Sequence, residues 1–433
     1  MSLLLIGSFL CIAIGLGIAF FSQRKSQNSP PTPTSKKDNF AAEMLSELQG
    51  LFPDAGFAYD ARSDMIEPPE GYSGEHDYKI FLGNLRNRAQ DMGREERHQF
   101  IREMIMTFTD RSEITAEELK ANLFLRARTG TELSLRNILL ASPDAKPSTP
   151  AAINRGDIIL EVVMDIPNGV RMVDQETLTE HEVTLEDGVN LAATNLLRIT
   201  PDSGDDLWEK IDENVWISKP HDDYDAARLF TFPEQMRLPF KGKAAAYVPS
   251  HSIVLITDKR DEATFKTMMD FGASAAETHR PLSFDIWEQV DEGWKKMTSP
   301  DRASLVYKAS VESSGRAYAE QKEVLEQVFE AKEKDIFVAS VMMMKNTDTG
   351  EYTTLAVFID GHSYLPIVDY IIPQLGGAGN KEINGKIKWD RFVEILGQQY
   401  LVAVPGLEPE RYEFTGSIPS EMRAELNKAG EPV

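Results

Sequence analysis

The chain has 433 residues, with 46 basic against 69 acidic side chains and a formal charge of −23. That field repels nucleic acid and anionic lipid headgroups, so neither DNA nor RNA is an expected partner. Cys11 is the one cysteine, which excludes a disulfide within the chain and a cysteine-based zinc site and fits a reducing compartment.

The first element is Leu3 to Phe21, an uncharged run whose one clearly polar side chain is Ser8. As a helix it would reach roughly 28 Å, the depth of a bilayer's hydrocarbon core. No basic residue precedes it and no good cleavage site follows, so it reads as an uncleaved transmembrane anchor over 3–21, not a signal peptide. Leu10 before Cys11 is too bulky for a lipoprotein signal. Arg24, Lys25, Lys36 and Lys37 follow the span, and the first 37 residues hold no acid. This bias puts the N-terminus outside and the body in the cytoplasm, with a single pass through the membrane. Gly7, Cys11, Gly15 and Ala19 recur every fourth residue as a small-residue stripe. The stripe suits packing of two such helices into a homodimer, although small residues are also simply frequent in membrane helices. Residues 22–37, rich in Pro, Ser and Thr, read as an extended tether.

Asp38 to Leu51 predicts a helix capped by Asp38, with Phe40, Met44, Leu45, Leu48 and Leu51 on one face. Phe57–Tyr59 and Met65–Glu67 read as a hairpin. Two helices are expected over Asp77–Asp91 and Arg94–Phe108, and helix again over Ile114–Leu119. Leu123–Arg128 and Ile158–Ile166 read as strands. Asn168-Gly169 turns the second into Val170–Val173. Thr184–Leu197 is an amphipathic helix. Strands surround Trp208 and Trp216, and a short helix starts near Asp223. Ala244–Val248 and Ile253–Thr257 pair, Glu262–Ala276 is helical, and Leu282–Val290 turns back through Trp294–Met297.

Helices and paired strands alternate without a regular βαβ rhythm, which indicates an α+β class with mainly antiparallel sheets and packed helices. The segments IPNGVRMVDQETL (Ile166–Leu178), DYDAAR (Asp223–Arg228) and AAAYVPSHSIVLITD (Ala244–Asp258), after LFLRAR (Leu123–Arg128), come in an order that resembles the YtpQ-like bacterial family, a domain of unknown function. The resemblance covers roughly residues 38–297. It implies a bacterial origin, hence the inner (plasma) membrane, and an α+β fold, and it supplies no catalytic residues. The anchor and the tail depart from that family's short soluble pattern.

Ser299-Pro300 marks a boundary, dividing a 38–298 α+β domain from a small α+β module over 301–433. In the tail, Arg316–Lys332 predicts a helix. Ile336–Lys345 and Tyr352–Ile359 form a hairpin, Trp389–Leu396 a helix, Tyr400–Val404 a strand and Ser420–Lys428 a last helix.

The motifs that could carry chemistry are weak. Gly376-Gly377-Ala378-Gly379-Asn380-Lys381 lacks the spacing and the Ser/Thr of a P-loop and reads as a loop. Gly272–Ala276 differs from a nucleophile elbow at its last position and reads as a helix end. No pair among the seven histidines has H-x-x-x-H spacing. The densest potential metal cluster, His221 to Asp225, reads as a solvated loop, as does Asp202–Asp206. Met342-Met343-Met344 reads as core on both faces of a strand, not as a copper site. No cofactor and no metal are expected.

One candidate binding site remains: Asp223, Asp225 and Arg228. Asp223 stands where a helix cap belongs, Asp225 suits the positive end of the helix dipole, and Arg228 lies three residues on, within pairing distance. In the functional reading Arg228 grips an anionic group; in the structural reading the three residues cap and staple a helix. The expected activity is that of a non-catalytic binding or scaffolding protein with a protein partner. The alternative is an enzyme, such as a hydrolase, with a dispersed active site.

Overall fold

The computed structural model describes residues 36–431, less the internal stretches 62–64, 70–79, 83–84, 87–88, 90–91, 110–113, 141–148, 156–157, 167–168, 233–235, 279–281, 292 and 375–384. The expected anchor and its stripe of Gly7, Cys11, Gly15 and Ala19, nearly all of the tether, and the glycine-rich loop at Gly376 lie outside the described residues. Among those described, no helix is long and apolar enough to cross a membrane. The described residues form a mixed α+β fold with twelve helices and mostly antiparallel sheets. The chain divides into two compact units, Met1–Ile105 and Met106–Val433.

In the first unit α1 (Lys36–Leu51) starts two residues before the expected cap. It buries Phe40, Met44 and Leu48, while Leu51 is exposed. The hairpin of β1 (Ala58–Asp60) and β2 (Met65–Glu67) is present, and β3 (Ile80–Phe81) extends it. The helix expected at Asp77–Asp91 is therefore wrong at its start. Ile80 pairs opposite Ile66 and both are buried, so pairing across the sheet overrides the local helical pattern. Helix α2 (Arg94–Thr109) adds Phe100, Ile101, Met104 and Ile105 to this core. Arg97 on α2 grips both carboxylate oxygens of Glu43 on α1, at 2.7 and 2.8 Å.

The second unit begins with α3 (Ala116–Asn122), closed at its start by a reciprocal capping box between Thr115 and Glu118. It leads into β4 (Leu123–Thr129) and α4 (Gly130–Leu140), a helix the sequence reading missed. Strands β5 (Ala152–Arg155), β6 (Ile158–Ile166) and β7 (Gly169–Met172) complete an antiparallel sheet in which β6 pairs with β4, β5 and β7. Next come α5 (Gln175–Glu180), α6 (Leu185–Arg198) and α7 (Gly204–Leu207). The expected helix is present as α6, with Thr184 as its cap, accepting the Asp187 N–H, and Asn195 ties the helix to the Lys120 and Leu123 carbonyls. Strands β8 (Trp208–Asp212) and β9 (Val215–Ser218) precede the short α8 (Asp225–Thr231).

The chain then builds β10 (Ala245–Ser250), β11 (Ile253–Thr257), α9 (Glu262–Thr278), β12 (Ile286–Val290) and β13 (Gly293–Lys296). These make a six-stranded antiparallel sheet in the order β13-β12-β10-β11-β9-β8. A core of Phe124, Val162, Leu196, Leu229, Val254 and Trp287 lies between the two sheets and α6 and α8. Gly272 falls inside α9, not at its end, and a Cβ there would collide with the Tyr247 ring. Its role is close packing.

Helix α10 (Leu305–Ala331) is 27 residues long and starts eleven residues before the expected Arg316, from a Ser304 cap. It supplies Val306 and Ala309 to a core with Tyr247 and Phe265, and Leu325 and Phe329 to another with Val338. After it come β14 (Phe337–Val338), β15 (Met342–Lys345), β16 (Tyr352–Ile359), β17 (Ser363–Pro366), β18 (Tyr370–Gln374), β19 (Ile387–Lys388), α11 (Trp389–Leu396), β20 (Leu401–Ala403), β21 (Arg411–Phe414) and α12 (Ser420–Ala429). They form two four-stranded sheets, β14-β17-β21-β20 and β15-β16-β18-β19, each with one parallel pair. Phe358, Phe392 and Phe414 meet edge to face in their shared core.

Candidate functional site

Asp225 and Arg228 meet as the sequence predicts, with Nη1 donating to Oδ1 at 2.8 Å. Asp223 does not join them. The N-cap of α8 is Tyr224, which makes no side-chain cap bond. Asp223 is exposed and lies 3.3 Å from Arg126. The residue the sequence reading missed is Asp222, whose two oxygens take Nη1 and Nη2 of Arg228 at 2.7 and 2.6 Å. Asp222 precedes the helix, so helical spacing gives no hint of it. The Nε of Arg228 donates to Thr200 at 3.1 Å, and the side chain is 1% exposed. Four of its five N–H groups are thus taken within the chain. Within the stretch expected as a solvated loop, His221 and Asp223 are exposed, Asp222 is half-buried and Asp225 is buried.

Two carboxylates share one guanidinium here. Burial, with the charge of Asp222 beside it, pushes the Asp225 carboxyl up to about 7. Its Oδ2 accepts the His221 N–H at 3.0 Å, with His221 in the left-handed region at φ 48°. The Tyr224 hydroxyl donates to Asp165 at 3.0 Å and its ring stacks on Phe124. The arrangement pins a tight turn and a short helix onto β4 and β6.

A second polar network lies under β4. Glu161 sits mid-strand in β6 and is fully buried, with Arg128 Nε 2.9 Å from Oε2 and Arg136 on its other oxygen. Arg128 also lies 3.7 Å from Glu132 in the first turn of α4. Behind Glu132, at 3.8 Å, is the ring of His251, buried in the turn between β10 and β11. Neither ring nitrogen of His251 has a hydrogen-bond partner among the described residues. Burial holds its pKa below the ordinary value.

Glu132 faces a cleft of about 210 Å³ between the start of α4, the β12–β13 hairpin, α10 and the segment Glu408–Pro409. Asp285 lies in its wall, held by Lys296 Nζ at 2.9 Å and by the Ser283 hydroxyl at 3.1 Å, and burial pushes its carboxyl up. Arg316 and Glu320 of α10 pair at 2.9 Å. Trp287 also lines the cleft, and its buried Nε1–H has no acceptor among the described residues. Gln321 Nε2 binds the Pro409 carbonyl at 2.6 Å and so anchors the last wall to α10. The cleft draws on five separated segments, which is why no sequence motif marks it.

The third feature is β15. It forms the edge of its sheet, paired with β16 alone among the described strands. Met342, Met343 and Met344 are 39%, 42% and 49% exposed, so the expected core role is overturned. Comparison with family models, curated proteins and solved structures finds no match to this chain.

Proposed function

We propose that this is a bacterial membrane-anchored protein whose cytoplasmic body is a non-catalytic binding or scaffolding module for a protein partner. The observation that carries the reading is the exposed methionine run on the edge strand β15. An edge strand offers unpaired N–H and C=O groups to an incoming extended segment. Methionines are flexible and polarisable, and suit a contact surface that must adapt to its partner. The anchor rests on the apolar run Leu3–Phe21, and the bacterial assignment on the YtpQ-like order of segments. Affinity capture of the intact, membrane-inserted protein tests it. The wild type retains a partner that a Met342→Glu/Met344→Glu variant releases at unchanged melting temperature; equal capture by both overturns the reading. Protease added outside intact spheroplasts leaves the body whole, and its digestion there reverses the topology.

A second reading, an enzyme such as a hydrolase, is favoured by Glu132 in the cleft wall with the buried His251 ring 3.8 Å from it. Turnover of an ester or amide substrate that His251→Leu abolishes without unfolding would select it.

A further inference from the structure

Cys11 is the only cysteine and precedes the described residues, so their sulfur is all methionine thioether. Met44, Met104, Met236 and Met268 are buried, whereas Met342, Met343 and Met344 are exposed side by side on one edge strand. We propose that Met342–Met344 is a site of reversible oxidation to sulfoxide by peroxides, and that oxidation closes the β15 edge to an incoming strand. The second half rests on the docking reading above; the first does not. In the forward step a thioether lone pair attacks one oxygen of hydrogen peroxide. The S–O bond forms as the O–O bond breaks, water leaves, and sulfur gives up two electrons. A reductase supplied with two thiols restores the thioether and releases water and a disulfide.

The availability of that lone pair singles out the triplet. Met172 is 41% exposed, within the 39% to 49% range of Met342–Met344. Its sulfur, however, accepts from Arg136 Nη1 at 3.1 Å and from Arg128 Nη2 at 3.9 Å. The two guanidinium groups draw on the electrons that peroxide needs. Among the described residues none donates to the sulfur of Met342, Met343 or Met344. Successive side chains of a strand point to opposite faces, so oxidation places polar S=O groups on both faces of β15. A segment that packs on flexible thioethers then meets acceptors for which it has no donors. The three side chains fill no core, so the fold survives the change.

The test treats the full chain in detergent with hydrogen peroxide and follows each methionine by peptide mass spectrometry. Met342–Met344 is expected to oxidise roughly 3- to 10-fold faster than Met172, the worth of one hydrogen bond on sulfur, at unchanged melting temperature. A rate no greater than that of Met172 overturns the oxidation site. Closure is read with a labelled peptide of the β16 sequence Tyr352–Ile359, which pairs antiparallel with β15 in the fold. Its affinity is expected to fall at least about tenfold on oxidation and to return with methionine sulfoxide reductase and dithiothreitol. Met342→Leu/Met343→Leu/Met344→Leu keeps the edge apolar without sulfur, so its affinity is expected to survive peroxide. Undiminished binding by the oxidised wild type, or an equal loss in the variant, overturns closure. If the peptide does not bind the reduced wild type, the docking reading fails and closure with it, while the peptide map still decides the oxidation site.

Discussion

Arg228 and Asp222 meet fork to fork, Nη1 on Oδ1 at 2.7 Å and Nη2 on Oδ2 at 2.6 Å, with Asp225 on the remaining side of Nη1. Removing the guanidinium leaves two carboxylates facing each other, one of them fully buried. Breaking such a buried pair costs about 3–5 kcal/mol. Arg228→Met is therefore expected to lower stability by about 3 kcal/mol at pH 8. The loss shrinks at pH 5, where Asp225 keeps its proton. Arg228→Met with Asp225→Asn should recover most of it. Denaturant titration of the three proteins checks this, and a double variant no better than the single one would rule it out.

Glu161 and Arg128 make the same argument inside a strand. Glu161 has no exposure and two arginine partners. Arg128→Ala strips one cation from a buried carboxylate and is expected to cost about 3–5 kcal/mol, whereas an apolar pair of similar volume, Glu161→Leu with Arg128→Met, is expected to cost far less. Arg136, only partly buried, can turn to solvent in that double variant. Chemical melts of both variants decide it; equal losses would show that the network is indispensable as a unit.

Two glycines with crowded α-carbons should respond oppositely to alanine. At Gly130 the obstructing group is the end of the Glu408 side chain, which is exposed and can swing away. Gly130→Ala is expected to change stability by less than about 1 kcal/mol, since the extra methyl relieves the backbone entropy cost of glycine in a helix. At Gly272 the obstructing atoms belong to the buried Tyr247 ring, with Pro249 close behind. Gly272→Ala is expected to cost about 1–3 kcal/mol through overpacking. Thermal melts of the two variants compare them, and a similar shift in both would refute the distinction.

Periodicity revealed much of this fold because local signals agreed with tertiary packing. Thr184 caps α6 and its apolar face is the buried one. The β-branched run of β6 is buried on both faces. Disagreement arose where a distant partner decided. Ile80 and Phe81 are strand because β2 lies beside them. Strand β21 went unseen because it opens on Arg411, a fully buried cation held by the carbonyls of Tyr318 and Ala339 and by Gln321. Met342–Met344 looked like core, since hydropathy cannot tell an edge strand from a central one. In the candidate cluster, Asp225 with Arg228 was legible from helical spacing, and Asp222 was not because it stands before the helix.

Asp225 and His251 pull the pH dependence of stability in opposite directions. Asp225 is raised to about 7 from an ordinary 3.8 by burial and by Asp222. Between these values the folded protein holds a proton that the unfolded chain has released, so this contribution is complete below the lower value and is lost as pH rises through about 7. His251 is lowered from its ordinary 6.5 by burial. Here the unfolded chain takes up the proton first, so the contribution is complete above pH 6.5 and is lost on acidification below it. Relative to wild type, Asp225→Asn removes the first trend, so its melting temperature gains on the wild type as pH rises from 5 to 8. His251→Leu removes the second, so its advantage grows as pH falls from 7 to 5. Melting curves of the three proteins across pH 5–8 measure both differences. A variant whose profile runs parallel to wild type would show that its residue does not titrate with folding.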